Sequence, residues 1–176
     1  MRTRASESHW AHPTYIVSWA YKITEEFPER RYNPEVRKDF APDLAKDTED
    51  SFSDFEHLQY FRGAAAGYDG ASRRLRQMIE AGVHIGMGTD SGTPLNFHTE
   101  SAWREVAIYV QHGMTPLQAI TSATKYPAQF FKVDKDVDTL EPGKLADIIV
   151  VRGNVLESID YLRDIEHIYK GGKCYK

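Results

Sequence analysis

Between Gly82 and Pro94 the chain reads Gly-Val-His-Ile-Gly-Met-Gly-Thr-Asp-Ser-Gly-Thr-Pro, and this stretch constrains the fold more than any other. Val83, Ile85 and Met87 alternate with His84 and glycines, the period-two pattern of a strand, and Ser91, Gly92 and Pro94 cannot prolong it. Helical patterns lie on both sides. Upstream, Leu75, Met78 and Ile79 recur at helical spacing within a pattern spanning 51–81, and Gly82 is placed to end it as a left-handed C′ residue. Downstream, Ala102, Val106, Ala107 and Val110 mark a helix over 99–111, closed by Gly113. A strand between two helices calls for parallel β/α units and argues against a sandwich.

The strand delivers Asp90 to its carboxyl end. In an α/β barrel that rim carries the active site, so an acid there reads as catalytic. A second reading stands beside it, in which the carboxylate only caps the turn by accepting backbone N–H groups.

Thr115-Pro116-Leu117-Gln118 predicts another helix start, with a threonine N-cap, proline at the first helical position and glutamine placed for a capping box. That helix runs to about Thr124, and a shorter one follows from Tyr126-Pro127 to Phe131. Near the start, His12 to Trp19 is β-branched and aromatic and reads as a short buried strand leading into a loop or helix. Residues 25–55, punctuated by Pro28, Pro34 and Pro42, read as short helices in a long connection. After about residue 134 the character changes. Extended segments are expected over 137–140 and 146–152, separated by the turn Glu141-Pro142-Gly143-Lys144. A last strand over 166–170 turns at Gly171-Gly172, and these strands are too few for a stable sheet alone.

Composition excludes several partners. The 176 residues carry 22 Lys and Arg against 26 Asp and Glu, a formal net charge of −4, with no basic stripe to neutralise phosphates, so nucleic acid is not an expected partner. No apolar run approaches the roughly 20 residues of a spanning helix, so no membrane role is expected. One cysteine, Cys174, allows neither an internal disulfide nor a cysteine-built metal site. It fits a reducing compartment, and a cytoplasmic location is the expectation.

Three motifs in this order carry a family resemblance: Gly88-Thr89-Asp90-Ser91-Gly92-Thr93-Pro94, His112-Gly113-Met114-Thr115-Pro116-Leu117-Gln118-Ala119-Ile120, and Leu140-Glu141-Pro142-Gly143-Lys144-Leu145-Ala146-Asp147-Ile148-Ile149-Val150. With them, residues from about 70 to 176 resemble the carboxyl-terminal part of the amidohydrolase superfamily, on its imidazolonepropionase-like and Xaa-Pro dipeptidase-like branch. The resemblance implies an α/β fold: about strands 7 and 8 of a (β/α)8 barrel over residues 1–133, then part of a small flanking β domain over 134–176. It also implies a divalent metal, usually zinc, held by a His-x-His pair, a carboxylated lysine or acid, two later histidines and the strand-eight aspartate.

Asp90 matches that aspartate, implying a metal ligand that also accepts a proton from the attacking water. A metal lowers the pKa of bound water from about 16 toward about 7. His98, eight residues on, is a candidate substrate contact, with the alternative that it only flanks the next helix start. No His-x-His occurs in the chain, so the remaining ligands must come from elsewhere. His9 and His12 carry no family match. His84 reads as a satisfied core or interface residue, His57, His112 and His167 as solvated or structural, and Lys144 and Asp147 as turn and packing residues.

The expectation is a carboxyl-terminal piece of a hydrolase acting on a carbon–nitrogen bond in a small amide or dipeptide substrate, inactive by itself. The competing expectation is a non-catalytic binding or assembly module whose open strands pair with a complementing chain or a second copy.

Overall fold

The computed structural model of the chain describes residues 10–37, 40–52 and 59–176. In chain order the elements are strand β1 (Trp10–Ala11), helix α1 (Tyr15–Glu26), a 3-10 turn (Pro28–Tyr32), and helices α2 (Pro34–Arg37), α3 (Pro42–Phe52), α4 (Gln59–Ala66) and α5 (Tyr68–Glu80). Strand β2 (His84–Ile85), helices α6 (Ser101–Gln111), α7 (Pro116–Ala123) and α8 (Lys125–Phe131), strand β3 (Ile148–Val151), a 3-10 turn (Ile159–Arg163), and strands β4 (Ile165–Lys170) and β5 (Lys173–Cys174) complete it. β1 and β2 pair in parallel, Trp10 opposite His84 and Ala11 opposite Ile85. β3, β4 and β5 form a separate antiparallel sheet.

The expected strand over 12–19 is corrected by the structure: strand geometry ends at Ala11 and Tyr15 opens a helix. Two forces override the β propensity of Thr14 to Trp19. Tyr15, Ile16, Ala20, Tyr21 and Thr24 are buried at helical spacing. The helix start is also capped from a distance. Tyr15 N–H donates to Glu105 Oε1 (3.0 Å) and Ile16 N–H to Glu105 Oε2 (2.5 Å), while Thr14 supplies no side-chain cap. A carboxyl group reaching in from α6 thereby satisfies two of the four N–H groups that a helix start leaves unpaired.

Of the helical pattern over 51–81, residues 51–52 end α3, the described part from 59 on is divided between α4 and α5 at Gly67, and Phe55 and Leu58 lie outside the described residues. Its end behaves as expected: Gly82 has φ 68°, Gly82 N–H reaches Ile79 O and Val83 N–H reaches Met78 O. The following strand is shorter than the apolar alternation suggests. Gly86 N–H still bonds Ala11 O (2.8 Å), but Met87 N–H goes to Ser122 O on α7.

The Thr115–Gln118 capping box forms with both of its bonds. Thr115→Ala is expected to lower the unfolding free energy by about 1 kcal/mol in a denaturant titration, the usual cost of losing such a cap. The extended segment expected over 137–140 is not a strand. Its polar groups fold inward on Lys144, which contacts Asp138, Thr139 Oγ1 (2.7 Å) and Val137 O (3.4 Å) instead of a ladder partner. The Glu141–Lys144 turn closes through Lys144 N–H to Glu141 O. Asp147 pairs with Lys170 and accepts Gly171 N–H, which ties β3 to the β4–β5 hairpin.

Ile16, Leu75, Ile85, Val106, Ile108 and Tyr109 form the main core. Ile159 joins that cluster, anchoring the turn between β3 and β4 to the helices. A second cluster of Val17, Tyr21, Ala65 and Leu95 sits between α1, α4 and the loop after β2. The antiparallel sheet is less covered: Ile149 is 61% exposed, and Leu140 and Leu145 on the preceding segment are exposed as well.

Candidate active-site rim

β1 and β2 run side by side and their continuations stay close. The His12 ring lies where a Cβ on residue 86 would project, so a side chain at 86 would have to turn that ring away. His12 itself is exposed and packs against Phe130, ring centroids 4.4 Å apart. His84 stacks on Tyr126 (4.8 Å) and meets Trp10 edge-on (5.0 Å). The expectation that His84 is satisfied needs correcting, because its buried Nδ1 has no hydrogen-bond partner among the described residues. Aromatic packing holds it.

Asp90 follows β2 in the left-handed region, φ 49°. It is exposed, and among the described residues its carboxylate accepts no hydrogen bond. Only its backbone carbonyl is engaged, by Thr93 Oγ1 (3.1 Å), Thr93 N–H (3.3 Å) and Asn96 Nδ2 (2.9 Å). Turn capping, the alternative role for this acid, falls to Thr89 instead, whose Oγ1 accepts from Ser91 N–H (3.4 Å) and Ser91 Oγ (2.9 Å).

The loop bearing Asp90 is tightly braced from beneath. Asn96, 1% exposed, donates through Nδ2 to Thr89 O (2.6 Å) and Asp90 O (2.9 Å). Ser101 Oγ approaches Asn96 Oδ1 at 2.7 Å. Leu95 is also left-handed (φ 66°) and 2% exposed. Its strain, of order 1–2 kcal/mol for an L-residue, is offset by roughly 1.5–3 kcal/mol from burying its side chain.

Arg30 donates to Leu95 O (2.8 Å) and Thr24 Oγ1 (3.3 Å) and pairs with Glu100, binding α1 and the turn after it to this loop. Burial, helped by the nearby Arg104 guanidinium, lowers the Arg30 pKa to about 10, which still leaves it charged at neutral pH. Arg104 stacks over Trp19 (4.6 Å) and Trp103 (4.0 Å) and extends the same brace.

His98 is exposed on this loop, against Gly92, where an added Cβ would come within 3.2 Å of its Cε1. The structure therefore places both sequence candidates, Asp90 and His98, on one braced loop. Other described histidines bond elsewhere. His112 Nδ1 lies 2.8 Å from Ile108 O, His167 Nδ1 lies 3.2 Å from Lys176 O, and His9 and His57 lie outside the described residues. A concavity lined by Pro13, Thr14, Ser18, Arg74 and Met78 includes neither Asp90 nor His98.

A zinc site needs about three protein ligands. Among the described residues no three His, Cys, Asp or Glu side chains come together, so the residues present do not by themselves fit a metal. What this rim offers is one uncommitted carboxylate on a fixed backbone, able to bind a cation jointly with other donors or to take a proton.

Two functional features were missed in the sequence. Asn96 has no local signature, since its partners are carbonyls brought to it by the loop. Glu105 does carry a signal, an acid directly before the apolar run Val106 to Val110.

The chain resembles known proteins over most of its length. It is 32% identical over 118 residues to an adenine deaminase of Mesorhizobium japonicum, covering 64% of this chain and 19% of that protein. With an imidazolonepropionase of Geobacillus kaustophilus it shares 33% identity over 102 residues, 56% of this chain and 24% of the relative. The chain thus spans about a fifth to a quarter of the length of these relatives. Among solved structures, a Xaa-Pro dipeptidase with methionine bound in its active site superposes with a TM-score of 0.69 at 26% identity, covering 95% of this chain and 34% of that one. The model of the amidohydrolase family matches residues 70–174, more than half of the chain, and the protein belongs to that family.

Proposed function

We propose that this chain is the carboxyl-terminal portion of a metal-dependent amidohydrolase that hydrolyses a carbon–nitrogen bond in a small amide or dipeptide substrate. In this reading residues 1–133 supply about strands 7 and 8 of a (β/α)8 barrel, and residues 134–176 supply part of a flanking β domain. Asp90 is one metal ligand and the acceptor of the attacking water's proton, and His98 contacts substrate. The observation that carries the reading is the Asp90 carboxylate: exposed on the loop that follows a parallel strand, spent on no hydrogen bond within the described residues, and held there by the loop's bracing. The relatives support the bond type, since deamination of adenine and cleavage of an Xaa-Pro dipeptide both break carbon–nitrogen bonds.

The chemistry assigned to this chain is modest and specific. A carboxylate oxygen is a hard donor suited to zinc, and a positioned carboxylate can take the proton of an attacking water. The further ligands lie outside the described residues, and the metal with them.

Elemental analysis for metal, paired with hydrolysis of N-acyl amino acids and prolyl dipeptides, tests the proposal. The 176-residue chain is expected to hold no stoichiometric metal and to turn nothing over. A longer reading frame that adds a His-x-His strand and later histidines is expected to hold metal and to hydrolyse the substrates. Stoichiometric zinc and turnover in the 176-residue chain itself, lost in Asp90→Asn, would overturn the reading of a partial site. A longer protein without metal or turnover would favour a binding or assembly module.

A further inference from the structure

We propose that Asn96 is the positioning residue of this rim: its side-chain amide clamps the carbonyls of Thr89 and Asp90 and so sets where the Asp90 carboxylate projects. The catalytic value of the clamp rests on the role proposed for Asp90, but the clamp itself does not.

The orientation of the amide follows from donor counting. Thr89 O and Asp90 O can only accept, and they lie 2.6 and 2.9 Å from the same terminal atom of Asn96. An amide nitrogen has two N–H groups to give, one for each carbonyl, so that atom is Nδ2. Oδ1 then faces the Ser101 hydroxyl at 2.7 Å, whose single proton is shared with Phe97 O at 2.5 Å. Every hydrogen-bonding atom of the side chain is used, in a site 1% exposed.

The backbone of Asn96 closes the same loop. Gly92 N–H donates to Asn96 O (3.1 Å) and Asn96 N–H to Thr93 O (3.0 Å). One residue therefore holds the loop at both of its ends and fixes the two peptide planes that flank the left-handed turn at Asp90. His98, two residues on, leans on Gly92 within this ring of bonds.

Three substitutions separate this role from mere cavity filling. Asn96→Ala removes both donors and leaves two carbonyls unserved. Asn96→Asp keeps the shape but turns an acceptor toward two acceptors. A residue that only filled space would tolerate the isosteric aspartate better than alanine; a clamp reverses that order at neutral pH. Acid restores one donor to the aspartate, because burial raises its pKa and the protonated acid carries an O–H. Ser101→Ala removes the hydroxyl shared by Asn96 Oδ1 and Phe97 O and leaves both Asn96 donors in place.

The experiment is NMR on the 176-residue chain, reading the Asp90 backbone and carboxyl resonances and the exchange protection of the Gly92 amide, with the Gln118 amide of the remote capping box as control. In Asn96→Ala the Asp90 resonances are expected to move, and Gly92 protection to fall by roughly 10- to 100-fold, the equivalent of one or two neutral hydrogen bonds, with Gln118 unchanged. Asn96→Asp is expected to be worse at neutral pH and to recover on acidification, which alanine does not. Unmoved Asp90 resonances in a folded Asn96→Ala chain, or an aspartate that behaves as wild type at neutral pH, would overturn the proposal. Should Asn96→Ala not fold, Ser101→Ala decides: a smaller shift at the same residues supports the clamp and no shift overturns it. A fully active Asp90→Asn hydrolase would sink the catalytic assignment and leave these results standing.

Discussion

In the hydrolase proposed above, Asp90→Asn lowers kcat by about 100- to 10,000-fold, the range for losing a positioned acid–base group. Asparagine is the informative replacement because Asp90 sits at φ 49°. Asparagine adopts the left-handed region more readily than most residues, so the loop keeps its shape while the side chain loses its ability to take a proton. Unfolding free energy is then expected to change by no more than about 0.5 kcal/mol, as for other exposed positions. Asp90→Ala should show the same loss of kcat with an added backbone cost of about 1 kcal/mol. Steady-state kinetics on a prolyl dipeptide and denaturant unfolding of both variants check the pair. An asparagine variant with wild-type kcat would remove Asp90 from the chemistry.

Glu105→Ala is expected to destabilise the chain by about 3–5 kcal/mol. Its carboxyl is fully buried and accepts the N–H groups of Tyr15 and Ile16, and each buried donor left unpaired costs about 1–3 kcal/mol. Glutamine at 105 keeps one acceptor but presents its amide N–H to the second donor, so Glu105→Gln falls between alanine and wild type.

The same residue gives stability a pH dependence. Burial pushes the Glu105 carboxyl from its ordinary 4.5 up to about 8. Between those two pH values the folded chain keeps a proton that the unfolded chain has released. The unfolded state then binds fewer protons, so this contribution to stability declines as pH rises through the window, by on the order of 1 kcal/mol per pH unit. The neutral acid still accepts at both oxygens and has an O–H to give. Denaturant midpoints from pH 5 to 8 should fall for the wild type and stay flatter for Glu105→Gln; equal slopes would show that another group carries the dependence.

Features legible in the sequence were those set by neighbours along the chain. Gly82 and Gly113 end their helices at positive φ, the Thr115–Gln118 box forms, and Gly171-Gly172 turns the last hairpin, all through bonds spanning a few residues. What was misread depends on partners far away. The segment after His12 resembles a strand until Glu105 caps it as a helix, and residues 137–140 look extended until Lys144 gathers their oxygens. At the rim, Asp90 and His98 were visible because acid, glycine and proline mark a strand's end. Asn96 was not, because an asparagine between Leu95 and Phe97 announces nothing until the fold brings Thr89 and Ser101 to it.

The cap on α1 also has a consequence for the order of events in synthesis. The carboxyl group that completes this helix lies 90 and 89 residues later than the amides it serves. On a ribosome the amino-terminal helix emerges long before its cap exists. It must therefore wait, with an apolar face and an open first turn, until α6 has left the exit tunnel. Contacts of this sequence separation slow folding and prolong the exposure of unfinished surface. The first helix among the described residues is thus completed only after five later helices have been made, and until Glu105 arrives its open first turn is exposed.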